Sequence, residues 1–482
     1  MTIPMPRIRV VRGCGASAYG KTADIGRTGI MESMDMDVTA GHFDNDEVTA
    51  AELRADDAGP GRRPIVSRAA AIVVSVVVLG ALTGVCAGLL TLLLYAIEHA
   101  ALGFVESPEL PGPFLTHPLR RAASLIGGAT VAAVLWWLLR TRTTRVPSVR
   151  QAVSGALMPV WQTVCHVLLQ IVIVGCGLSV GREVAPRELG SMLAQRVCRW
   201  TGLHAHDLMN VIAISAGAGL AGVYNAPLAG AFFAVEILLK DVTAATVALS
   251  LLCSSLAAWV ATLVKGTHTF YVIGHVDAHF TPDLFAFALV VGVLAGLCGA
   301  LFRAGAQWAE RRKAQGAAIL WQLPAAGAVT ALVAVWVPQV MGNGRATAQM
   351  GFSGRAELVY IPLLLISFLA KAVVTLMTIR AGASGGVLTP GIALGSSLGC
   401  MLGIVWLLMF GTNSIGVYAL LGACALLAAS QNAPLMAMTL VMELTEAPSN
   451  LYVPAACACA VSVGTGLLFA HVRTRRRAAA RE

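Results

Sequence analysis

The hydrophobic positions of this chain fall in long runs, neither striped as on an amphipathic helix nor alternating as on a half-buried strand. Ala69–Ala96 and Leu284–Phe302 carry no charge, and Ile361–Thr378 is interrupted only by Lys371. Each approaches or exceeds the ~20 residues that cross a bilayer. Other apolar segments are short and broken by Gly or Pro, at Ser179–Gly190, Val223–Gly230, Gly382–Gly391 and Asn432–Leu435. Every backbone group in lipid needs an internal partner, and the alternating pattern of barrel strands is missing. The pattern therefore predicts an all-α polytopic membrane protein of long, tilted and broken helices.

Composition agrees, with 57% hydrophobic and 12% charged residues over 482 positions, where a soluble domain carries about a quarter charged. Residues 1–64 stand apart as polar and charged, with no run long enough for a signal peptide or a first span. They are expected to form a disordered cytoplasmic tail, with Met31 or Met34 as alternative starts. A transmembrane domain is expected over 65–472, its halves covering roughly 69–264 and 280–472, followed by a short basic cytoplasmic tail at 473–482. The net charge of +9 gathers at Arg62–Arg68, Arg140–Arg145 and Arg473–Arg477. Each run abuts a span, so the positive-inside rule, not nucleic-acid binding, accounts for them. That places both termini in the cytoplasm and the protein in the cell inner (plasma) membrane. Eleven cysteines are scattered without a CxxC, which suits buried packing residues better than disulfides or a metal. "HAHD", His204–Asp207, sits at a span boundary and makes a poor metal site.

An internal repeat organises the chain. "GLAGVYNAPLAGAFFAVE", Gly219–Glu236, matches "LLAASQNAPLMAMTLVME", Leu426–Glu443, in register from the Asn to the closing Glu. Upstream lie "GREVAPRELGS" and "GGVLTPGIALGSS", each a Gly-containing break, a proline and a small-residue helix. Two related halves are expected in inverted topology, their broken helices directing backbone N–H groups at a central small-anion site. NAPL itself reads as a helix start, with Asn225 and Asn432 as N-caps and the prolines in the first turn.

Two arginines and two glutamates stand in the apolar stretch Leu178–Ser191. A charge at mid-bilayer costs about 2.5–3.5 kcal/mol on insertion scales. Pro186 puts Glu183 just before a helix N-terminus, where the dipole and unpaired N–H groups favour an anion. A seat that holds a carboxylate also suits a halide, so the two compete and protonation of Glu183 frees the place. "GGVLTP" supplies the same geometry without charge, through the amides of Val387 and Leu388. Ser148, after a proline, reads by itself as a helix cap. Arg182 and Arg187 are candidates to pair with Glu183 and Glu188 or to face aqueous vestibules, and Glu188 reads as a structural ion-pair partner.

Taken together, these stretches resemble the CLC family of voltage-gated-type chloride channels and chloride/proton antiporters, in its bacterial form. "GREVAP" is similar to that family's GREGP segment, "GGVLTP" to GGIFAP, "PSVRQAVSGAL" to GSGIPEIEGAL, and both NAPL helices have counterparts. The resemblance runs from roughly Ala69 to Phe469. It implies that Glu183 is the gating and proton-carrying glutamate, and that Ser148 with the amides of Val387 and Leu388 binds the anion. Serine at that place goes with chloride and proline with nitrate. The resemblance also implies a homodimer with one pathway per subunit. Val184 and Ala185 stand where the family has Gly and Pro, with Pro186 displaced by one position. Ile237 replaces the inner proton glutamate, and its neighbour Glu236, about 100° away on a 3.6-residue helix, is at most a supporting acid, as is Arg182 a supporting base. The central tyrosine and CBS modules have no counterpart.

The expected function is chloride transport by H+/Cl− exchange, gated by Glu183, with passive chloride conduction as the alternative favoured by Ile237. A membrane enzyme built on Glu183, Glu188 and HAHD is the remaining class, but no HExxH or nucleophile elbow is present. The expected partners are chloride, protons, lipid and a second copy of the chain. No cofactor, metal, catalytic residue or nucleic acid is called for.

Overall fold

In the computed structural model, which describes residues 65–479 apart from 204, 268, 275–280 and 412, sixteen α-helices follow one another as two sets of eight. The first set is α1 (Ile65–Leu102), α2 (Pro118–Arg142), α3 (Val149–Val153), α4 (Val160–Gly175), α5 (Val184–Thr201), α6 (Ala205–Tyr224), α7 (Pro227–Phe232) and α8 (Ala244–Lys265). The second is α9 (Pro282–Arg311), α10 (Ile319–Trp336), α11 (Arg345–Phe352), α12 (Ile361–Arg380), α13 (Leu388–Phe410), α14 (Ile415–Gln431), α15 (Pro434–Leu444) and α16 (Tyr452–Ala479). Long and short elements recur in much the same order. Packing recurs as well: α1 lies on α8 as α9 lies on α16, and α5 on α6 as α13 on α14. The halves meet through like elements, α2 against α10 and α7 against α15.

Among the described residues nine helices are long and apolar enough to cross a bilayer, and shorter apolar helices fill the space between them. The chain is thus a multi-pass membrane protein. A helix that is apolar all round must be buried all round, and α14 behaves so, with every residue from Ile415 to Ser430 buried. Helices lacking a hydrophobic drive to associate in lipid pack through small residues. Gly395 and Gly422 accordingly bring α13 and α14 so close that a Cβ on either would strike the other's backbone.

The residues of NAPL do something other than the sequence pattern suggests. Asn225 and Asn432 are not N-caps. Both adopt left-handed backbone, φ 56° and φ 55°, and Asn432 closes α14 through its own N–H to Ala428 O. Asparagine enters that conformation more readily than other non-glycine residues, so the residue type that suits an N-cap also suits a helix end. The N-caps are Ala226 and Ala433, with no side chain to offer. Their orphan N–H groups are satisfied from the other half. Glu443 on α15 accepts from Leu228 N and Ala229 N, both at 2.9 Å, and Glu236 accepts from Leu435 N at 3.2 Å and Met436 N at 2.8 Å. Each repeat caps the other, which requires α7 and α15 to run antiparallel and makes the inverted relation of the halves visible.

Glu236 lies in a π-helical stretch, Phe233–Leu239, that continues α7 and ends at Lys240 with φ 55°. The 3.6-residue spacing used to separate it from Ile237 therefore does not apply. A carboxylate that must reach across to α15 sits on a locally widened turn.

Glu236→Ala and Glu443→Ala each strip two donors of their partner and are expected to cost ~1–2 kcal/mol apiece, as lost helix caps do. Thermal unfolding of the purified protein in detergent reads this as a lowered Tm, and an unmoved Tm contradicts it.

Candidate anion site

The two Gly-containing breaks meet. Gly181 and Gly386 exchange a pair of antiparallel backbone hydrogen bonds, N to O at 2.8 Å in each direction. The helices that leave this bridge, α5 and α13, therefore begin beside one another, with Pro186 and Pro390 each in the first turn. The positive ends of both helix dipoles converge on one spot.

Glu183, the residue before α5, places its carboxylate there and is fully buried. Its Oε1 accepts the Leu388 backbone N–H at 2.7 Å, the first residue of α13. Its Oε2 lies 3.3 Å from both the Tyr224 and the Thr389 hydroxyl, and those two are hydrogen-bonded to each other at 2.7 Å, so one hydroxyl donates to the other and the other's proton goes to the carboxylate. The carboxylate packs flat on the backbone of Gly181 and Gly386, where any Cβ would collide with it. Two glycines are needed here because a side chain at either position would occupy the place of the carboxylate.

Of the residues expected to act together, Glu183 and Leu388 are in direct contact, and Val387 is the N-cap residue of α13. Ser148 is an exposed N-cap of α3: its hydroxyl donates to Gln151 Oε1 at 3.1 Å, and the same side-chain oxygen accepts Ser148 N–H at 2.9 Å. Its bonds are local and do not reach the Glu183 cluster.

The arginines do not pair with the glutamates beside them in sequence. Arg182 is 1% exposed and turns the other way, to Glu106 Oε1 at 3.1 Å, over the rings of Tyr224 and Phe270. Arg345 reaches the same oxygen at 3.6 Å, Asn343 donates to Glu106 Oε2 at 3.1 Å, and Glu98 accepts the Glu106 N–H at 3.0 Å. Arg187 donates Nε–H to the Glu183 carbonyl at 2.7 Å and stacks on Phe233. Consecutive side chains diverge around the start of a helix, so only the carboxylate of Glu183 faces the junction.

Glu188 is held by Gln170, whose Nε2 donates to Oε2 at 2.6 Å, with His166 Nε2 at 3.7 Å. In HAHD, Asp207 holds Arg68 through two bonds of 2.6 and 2.9 Å, and His206 bonds Asn210. His204 lies outside the described residues.

Sequence reasoning missed Tyr224 and Thr389. Thr389 stands inside "GGVLTP", where a hydroxyl one residue past the amide donor was the available signal. Tyr224 directly precedes Asn225, where the second copy has Gln431, so this break in the repeat was the only hint.

A family model described as "Voltage gated chloride channel" matches residues 127–466, well over half of the chain. The chain belongs to the voltage-gated chloride channel family. A relative named voltage-gated ClC-type chloride channel ClcB from Salmonella typhimurium is 30% identical over 353 residues, spanning 68% of this chain and 80% of that protein. Its namesake from Citrobacter koseri is 29% identical over 345 residues, with the same coverage. Among solved structures, a slow cyanobacterial Cl−/H+ antiporter superposes with a TM-score of 0.71 at 20% identity, covering 85% of this chain and 96% of that one. A CLC-type fluoride/proton antiporter does so at 0.63 and 23% identity, over 81% and 94%. These likenesses share the family's fold of two inverted halves.

Tyr224→Phe and Thr389→Val each remove one hydroxyl from the bonded pair at the Glu183 carboxylate. A hydrogen bond to a charged group contributes ~1.5–3 kcal/mol at good geometry and less at 3.3 Å. The buried carboxylate is then left with one hydroxyl fewer to satisfy it, and the Tm of the purified protein in detergent is expected to fall; an unmoved Tm in both variants contradicts this.

Proposed function

We propose that this chain moves chloride across the membrane in exchange for protons, with Glu183 as the group that carries the proton and yields its seat to chloride. The observation that carries the reading is a buried carboxylate held by an amide and two hydroxyls where two helix N-termini meet. Those donors are indifferent to whether the negative charge belongs to a carboxylate or a halide. Ionised, Glu183 occupies them. Once protonated it loses its claim on them, swings out and leaves them to a passing anion, so proton and chloride alternate at one place.

Family membership supports chloride as the ion, since the similar curated proteins are named chloride channels and the similar solved structures include chloride/proton and fluoride/proton antiporters. Ser148 and the Val387 amide would serve the anion next along the path. Leu388 would hold it at the seat itself. Glu236, tied to α15, has a structural task, and Arg182 bears on the site through Tyr224. Cytoplasmic termini in the inner membrane fit the basic flanks at Arg140–Arg145 and Arg473–Arg477, and the homodimer is what the family resemblance implies. Passive conduction is the second reading, favoured by Ile237 in place of an inner acid.

Proteoliposomes loaded with chloride, with chloride and pH electrodes recording together, separate the two. Exchange predicts proton movement opposite to chloride and driven by the chloride gradient alone; chloride flux without pH change leaves the channel. Glu183→Gln or Glu183→Ala is expected to keep or raise chloride flux and to abolish its pH response. A variant with the wild-type pH response removes Glu183 from the gate.

A further inference from the structure

The buried pair Glu188 and His166 has no part in the anion seat, yet its geometry is that of a proton station. Glu188 sits on α5 five residues beyond Glu183, so about 7.5 Å further along the axis. His166 belongs to the neighbouring α4. Its Nδ1 accepts the Trp136 indole N–H at 3.1 Å. Indole nitrogen only donates, so the histidine keeps its proton on Nε2, the atom that faces Glu188 Oε2 at 3.7 Å. Trp136 thus fixes the ring with a donor toward the carboxylate.

Gln170 completes the arrangement. It is fully buried, its Nε2 donates to Glu188, and its Oε1 is an orphaned buried acceptor. An ionised Glu188 uses the amide N–H; a protonated one needs an acceptor, and a turn of the amide presents Oε1 to the new O–H. The same side chain serves both protonation states, which a purely structural carboxylate would not require. The charged groups facing Glu188 are Arg187 on its own helix, Arg140 from α2 and Lys313 from the segment after α9. Arg140 stacks over Trp136 and bonds Gly382 O and Ser384 Oγ, at the end of α2 that carries the basic run. By the positive-inside rule that end is cytoplasmic. Glu188 therefore lies between Glu183 and the cytoplasm, and it keeps 6% exposure where Glu183 has none.

We propose that Glu188, positioned by His166, Trp136 and Gln170, is the inner proton-binding group of the exchanger, standing in for the acid that Ile237 lacks. This rests on the exchange reading above. A proton from cytoplasmic water forms an O–H bond on the Glu188 carboxylate, hydronium becoming water. It leaves again to water on the side of Glu183, restoring the carboxylate.

The test is simultaneous chloride and proton flux from the full chain in liposomes. Glu188→Gln is expected to lower the protons moved per chloride at least tenfold. Glu188→Asp, which keeps the acid on a shorter arm, is expected to retain coupling while displacing the cytoplasmic-side pH of half-maximal proton flux. Coupling in Glu188→Gln at the wild-type ratio overturns the inference and leaves exchange standing. An unmoved pH profile in Glu188→Asp also overturns it, and serves should the Gln variant not fold. A wild-type protein that moves chloride without protons removes both.

Discussion

A polar group taken out of water must find its partners within the protein, and inside a bilayer there is no fallback. The junction at Gly181 and Gly386 answers that constraint for two liabilities together. Helices α5 and α13 begin in the protein interior, so their first N–H groups have no intrahelical acceptor. Glu183 begins there too, with a charge that has no water. Setting the breaks side by side through a two-bond antiparallel bridge lets the carboxylate satisfy the Leu388 amide while the helix ends stabilise the charge. Bare glycine backbone is what permits so close an approach.

The same rule is applied again wherever a charge or helix end is buried. Glu236 and Glu443 exchange caps between the repeats, so neither half can satisfy its NAPL helix without the other. Glu106 gathers Arg182, Arg345 and Asn343 around one carboxylate. Lys371 spends its ammonium on the carbonyls of Val340 and Gly342. These groups come from distant parts of the chain, so they tie the helices into one arrangement as well as neutralising charge. Buried ion pairs add little net stability, but losing one partner is severe, which makes them strict about geometry.

The proposed function grows from the chemistry of the donors around Glu183. Donors arranged for a carboxylate suit any small anion of similar charge. Tyr224 bonds Glu183 on one side and lies under Arg182 on the other, so the seat and the Glu106 network share a wall. Glu188, on the same helix as Glu183, faces a histidine whose ring is locked by Trp136. Glu183 and Glu188, the two acids of the proposed exchange, are thereby held at the start of and within one helix, α5, and their separation is set by helix geometry rather than by loops.

Much of this was legible in the order of residues. Long apolar runs announced the spans, the NAPL repeat announced two halves, and Pro186 and Pro390 located the helix starts that bring Glu183 and Leu388 together. These are local signals, each carried by neighbouring residues. The tertiary structure alone decided which helix ends face which acids. It drew Arg182 away from Glu183 to Glu106, gave Glu236 and Glu443 to the opposite repeat, and widened the turn around Glu236 into a π-helix. Asn225 was misread because capping a helix start and closing a helix end favour the same residue type, and only the backbone angle separates them. Tyr224 escaped notice because its partners Glu183 and Thr389 lie 41 and 165 residues away, and Gln170 because its partner Glu188 is on the following helix; neither spacing leaves a periodic pattern to read.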